Sequence, residues 1–75
     1  MNSVFEISTA QIYERLLIAK DLVDEPVEQF LQLSSEYYLI NGKHIIEFGK
    51  NGVSKVGFYD VPQIIREQLL DESVN

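Results

Sequence analysis

Two Asn-Gly pairs, Asn41-Gly42 and Asn51-Gly52, constrain this chain more than any other feature, because each stands between short apolar runs. A type I′ turn needs positive φ at both central residues. Asparagine and glycine tolerate it best, so Asn-Gly between alternating apolar residues is a strong hairpin signal. Residues 36 to 59 therefore read as a three-stranded antiparallel meander.

The turns also imply a register. A two-residue loop at Asn41-Gly42 pairs Ile40 with Lys43, Leu39 with His44, Tyr38 with Ile45 and Tyr37 with Ile46. Side chains alternate with period 2, so one face carries Tyr37, Leu39, His44, Ile46 and Phe48, and the other Tyr38, Ile40, Lys43, Ile45 and Glu47. For the second turn, a three-residue loop from Lys50 to Gly52, with Gly52 left-handed in a G1 bulge, sets Ile46 against Val56, His44 against Phe58 and Glu47 against Lys55. A two-residue loop would instead put Lys55 on the face of Ile46 and Phe48. The plainer alternative is a mobile loop with no fixed register.

The flanks read as helices. Ser8 followed by Gln11 fits a capping box, with Ile7 placed to staple onto Ile12, and Ile12, Tyr13, Leu16, Leu17, Ala19, Leu22 and Val23 recur at helical spacing as far as Val23. Glu14, Arg15, Lys20 and Asp21 fill the polar side. Asp24-Glu25-Pro26 then ends this helix and starts another, with Asp24 as N-cap and Val27, Phe30, Leu31 and Leu33 as its apolar stripe. Asp60-Val61-Pro62-Gln63 repeats the start signal for a third helix striped by Val61, Ile64, Ile65, Leu69 and Leu70. Val4 to Ile7 alternates weakly, as a short edge strand or a disordered lead. The expected fold is α+β, one domain over 1–75 frayed at 1–3 and 71–75: two N-terminal helices, the meander and a C-terminal helix.

Composition narrows what such a domain can do. With no cysteine there is no disulfide or thiolate site, and nothing opposes a reducing compartment, so a cytoplasmic location is expected. No apolar run is long enough to span a membrane, and no basic-then-apolar leader opens the chain. The net charge is −6: residues 1–40 carry seven acids against Arg15 and Lys20, whereas the meander carries Lys43, Lys50 and Lys55 against Glu47 alone. Three lysines on that background are a poor phosphate-binding surface, which argues against nucleic acid and for a protein partner.

The chemical groups are sparse. His44 is the only histidine, which leaves no transition-metal set, and Asp21, Asp24, Glu25 and Glu28 lack the spacing and central glycine of a calcium loop. Ser8, Ser34, Ser35 and Ser54 lie in no nucleophile elbow, and no glycine pattern cradles a phosphate. Neither an enzyme nor a cofactor or metal site is expected. Tyr38, Ile40, Ile45 and Tyr59 leave the second sheet face apolar, so either helices cover both faces or another chain covers one; a homodimer is the preferred reading. The expected partner interface is that face together with Glu14, Asp21, Asp24, Glu25 and Glu28 on the helices.

Two functions follow as expectations. The first is a small acidic protein-binding module that acts as a regulator, inhibitor or adaptor by docking on another protein. The second is a DNA-binding regulator, because helix, corner, helix and hairpin is broadly similar in topology to a winged-helix domain, with Asp24 to Leu33 as recognition helix and Glu47 to Lys55 as wing. That helix carries Glu25 and Glu28 and no cation, the wrong sign for a phosphate backbone.

Overall fold

A computed structural model describes residues 8–73. It is an α+β fold of two helices and a four-stranded antiparallel sheet: α1 Thr9–Val23, β1 Phe30–Gln32, β2 Tyr37–Ile40, β3 His44–Gly49, β4 Gly52–Val56, a 3₁₀ turn at Phe58–Asp60, and α2 Gln63–Ser73. The strands lie in the order β1-β2-β3-β4. Val4 to Ile7, and with them the staple from Ile7, lie outside the described residues.

α1 forms as its sequence predicts. Gln11 N–H donates to Ser8 Oγ (3.2 Å) while Ser8 N–H donates to Gln11 Oε1 (3.1 Å), closing the capping box. The helix ends on Asp24, which adopts the left-handed conformation (φ 56°, ψ 36°). Asp24 is thus a C-cap and not the N-cap of a second helix.

The second helix does not exist among the described residues. Residues 26 to 29 form no regular element and Phe30–Gln32 is a strand. All four residues of β2 are buried, and only one of its edges can pair with β3. Its other row of N–H and C=O groups lies between two helices, away from water, and must be satisfied. β1 satisfies it through the pairs Phe30↔Ile40, Leu31↔Leu39 and Gln32↔Tyr38, extended by Leu33 N–H to Tyr37 O (2.8 Å) and Asn41 N–H to Gln29 O (2.8 Å). This tertiary demand overrides a helical spacing that spans barely two turns.

Both hairpin registers differ from the sequence reading. Asn41 and Gly42 do carry positive φ (55° and 73°), and Lys43 N–H donates to Ile40 O (3.1 Å), as a primed turn requires. The ladder nevertheless leaves out Lys43 as well and pairs Ile40 with His44, Leu39 with Ile45, Tyr38 with Ile46 and Tyr37 with Glu47. This one-residue slip exchanges the faces of β2 relative to β3. At the second turn the loop is the two residues Lys50 and Asn51, and Gly52, although at φ 132°, pairs with Gly49. Lys55 therefore lies opposite Ile46, the arrangement set aside above; it is exposed at the sheet edge, where its charge stays in water.

Each sheet face has its own helix. Tyr38, Ile40, Ile46 and Phe48 pack with Ala19 and Val23 of α1, while Tyr37, Leu39 and Ile45 pack with Val61, Ile65 and Leu69 on the α2 side. In α2 the first carbonyl of the helical ladder belongs to Pro62, which accepts from Ile65 (3.0 Å) and Arg66 (3.1 Å), so the helix begins at Gln63, three residues after the predicted cap, Asp60. Ile64 and Leu70 fall outside the buried stripe, and the helix runs to Ser73.

Candidate functional site

Tyr38 and Ile40 are completely buried under α1, and Ile45 is buried under α2, on the opposite face. These three expected interface residues are core, and the apolar sheet face that argued for a homodimer is covered within the chain. Tyr59 alone of the four is at the surface, 85% exposed, with its ring edge-on to Phe58 at 5.1 Å.

Arg15, assigned by sequence to the polar side of α1, turns inward instead. Its guanidinium stands 5.0 Å from the Phe48 ring centroid and 5.7 Å from that of Tyr38, and Nη1 donates to Tyr38 Oη (3.1 Å) and to the Ser35 carbonyl. Tyr38 also stacks on Phe30 at 4.9 Å and accepts from Gln32 Nε2 (3.2 Å). A cation over aromatic faces is attracted by their quadrupoles, and here it satisfies the one polar atom of a buried tyrosine.

The acids divide into two groups. Glu25 is structural: Asn41 Nδ2 donates to its Oε2 (2.8 Å), His44 Nε2 lies 3.2 Å from the same oxygen without hydrogen-bond alignment, and Lys43 Nζ lies 3.6 Å from Oε1. The hydrogen bond from Asn41, helped by His44 and Lys43, holds the Glu25 carboxyl below its ordinary pKa against a partial opposing loss of hydration. Asn41 does more. Its Oδ1 accepts from Glu28 N–H (2.7 Å) and Gln29 N–H (3.0 Å), and its Nδ2 also donates to Pro26 O (2.9 Å), so one side-chain amide fixes the whole segment leading into β1. Sequence reasoning used Asn41 for its φ alone.

Glu14, Asp21, Asp24 and Glu28 are exposed. Glu14 and Asp21 lie on the outer face of α1, opposite the inward stripe of buried Ala19 and Val23 and half-buried Ile12 and Leu16. The same outer face presents Tyr13 (61% exposed), Leu17 (44%) and Ile18 (42%), although the hydrophobic periodicity had assigned Tyr13 and Leu17 to the core. The buried stripe is narrower than the apolar content of this helix, and the surplus faces water. Among the described residues no group of His, Cys, Asp or Glu is arranged to hold a metal ion, and no helix is long and apolar enough to cross a membrane.

A groove of about 340 Å³ lies on the α2 face, with Leu39, Ile45, Val56, Phe58 and Leu69 beneath and Gln29, Lys43 and Glu72 at its rim. His44 belongs to the other side of the sheet, and Lys43 and Glu72 are the charged residues that line the groove. Tyr37 Oη donates to Glu47 (3.0 Å) on the same sheet face; burial, then that carboxylate, raises the pKa of its phenol. Comparisons with protein-family models, with curated proteins and with solved structures return no match.

Proposed function

We propose that this chain is a small acidic cytoplasmic module that docks on a partner protein through the outer face of α1 and acts there as a regulator, inhibitor or adaptor, with no catalysis of its own. The observation that carries this reading is the exposure of three apolar side chains, Tyr13, Leu17 and Ile18, on the outer side of α1, with Glu14 and Asp21 between Leu17 and Ile18. Tyrosine and aliphatic side chains suit a protein interface, and the acids set between Leu17 and Ile18 suit basic groups on the partner. With a net charge of −6, the chain repels a second copy of itself and attracts a basic protein. A homodimer is therefore not part of the proposal. The DNA-binding reading loses its recognition helix, because residues 24 to 33 hold a cap, a segment of no regular structure and a strand.

The test compares capture by the wild type with capture by a Tyr13→Ser, Leu17→Ser, Ile18→Ser triple variant and by Ile64→Ser as a control on the other helix. The reading requires a partner retained by the wild type and the control, lost by the triple variant while its circular dichroism is unchanged, and released as salt rises. A partner retained equally by all three proteins overturns it.

A further inference from the structure

We propose that the edge of β4, open among the described residues, is a second docking surface, independent of the α1 face, and that it accepts an acidic extended segment of a partner protein as an added strand. Among the described residues β4 ends the sheet, and its two-residue loop closes on the Gly49↔Gly52 pair. In an antiparallel ladder hydrogen-bonded and non-bonded pairs alternate, so Gly52, Ser54 and Val56 bond to β3 while Val53 and Lys55 point their N–H and C=O groups away from it. Among the described residues, no other element bonds the backbone of Gly52 to Val56. Gly52, Ser54 and Lys55 are exposed, and Val53 and Val56 are half-buried. Two N–H and two C=O groups that no described residue bonds, in alternation, are the template that peptides use when they extend a sheet.

Charge selects the occupant. Residues 48 to 59 contain Lys50 and Lys55 and no acid, in a chain whose net charge is −6. The β4 edge of a second copy brings the same two lysines and is repelled. An acidic strand laid along the edge sets a carboxylate directly opposite Lys55 on the α1 side, the cross-strand arrangement that opposite charges favour. On the α2 side its alternate residues meet Ser54 and Val56, the latter at the margin of the groove, so small apolar residues fit there. Lysine also serves in proteins to keep a sheet edge from pairing at all, and the experiment separates that role from recognition.

The probe is a capped hexapeptide alternating Glu and Val, compared with its Lys and Val counterpart, titrated into the ¹⁵N-labelled protein and followed by NMR. The acidic peptide is expected to shift the amides of Val53 and Lys55 most and the lysine peptide to leave them in place, with affinity falling about tenfold in a Lys50→Gln, Lys55→Gln variant. Val53→Pro removes an outward N–H and no bond to β3, so it is expected to abolish binding in a folded protein. Should that variant disturb the fold, Lys50→Glu with Lys55→Glu is expected to reverse the preference between the two peptides. Equal binding of both peptides by the wild type, shifts centred away from β4, or no shift at millimolar acidic peptide overturns the proposal.

Discussion

Replacing Asn41 with glycine removes a side chain that makes four hydrogen bonds to residues 25 to 29 while leaving the turn free to form. Glycine adopts the φ of 55° found here without strain, so the loss reports the amide and not the backbone. At a net value of about 0.5–1.5 kcal/mol per bond the four sum to roughly 2–6 kcal/mol. The exposed Glu28 and Gln29 amides regain water when the amide is removed, which selects the lower part of that range, about 2–3 kcal/mol. At about 4–8 °C per kcal/mol for a domain of this size, Tm falls by roughly 10–20 °C. The assay is urea and thermal unfolding followed by circular dichroism. Asn41→Asp is the companion variant: it keeps the acceptor for Glu28 and Gln29 but turns an oxygen toward the Glu25 carboxylate and the Pro26 carbonyl. It is expected to be at least as destabilising at neutral pH and to recover partly in acid. A loss below about 0.5 kcal/mol in Asn41→Gly would refute the claim that this side chain holds β1 against the sheet.

Other outcomes follow from the same contacts. Arg15→Ala is expected to cost about 2 kcal/mol in urea unfolding, because it removes a ring-stacked cation and leaves the buried Tyr38 hydroxyl with one donor fewer. Arg15→Lys, lacking the planar fork, is expected to recover less than half of it. Tyr38→Glu with Ile45→Glu is expected to abolish cooperative unfolding altogether, since both sites are core and on opposite faces; a folded protein with a changed solution mass would mean that the sheet is open after all. Because folding depresses the Glu25 pKa, the charged carboxylate stabilises the fold above the ordinary carboxylate value of 4.5, and that contribution disappears as pH falls through the lowered value. Glu25→Gln should accordingly flatten the acid limb of the urea midpoint against pH, and an unchanged limb would exclude this linkage.

The parts of the fold legible in the sequence are those set by local chemistry. The capping box at Ser8 and Gln11, the hairpin tendency of Asn41-Gly42 and the burial of Val61, Ile65 and Leu69 depend on residues a few positions apart. β1 was hidden because Val27, Phe30 and Leu31 have helical spacing, while Phe30 to Leu33 alternates equally well between the α1 and α2 sides. Eight residues are too few for periodicity to decide, and the deciding partner, the unpaired edge of β2, is a tertiary fact. The same holds for the register of the first hairpin, which slips by Lys43 in a loop whose Asn41 side chain is engaged with residues 25 to 29. The candidate surface was legible in its acids, Glu14 and Asp21. Its apolar members were not, because Tyr13 and Leu17 fit a core stripe by spacing, and only the narrowness of the contact between α1 and the sheet leaves them outside.

The most direct test of the docking claim is the methyl NMR spectrum of the protein with its captured partner. The signals of Leu17 and Ile18 are expected to move while those of Ile64 and Leu70, also exposed but on α2, stay in place. Movement of Ile64 and Leu70 with Leu17 and Ile18 unchanged would contradict it and move the interface to the other side of the molecule.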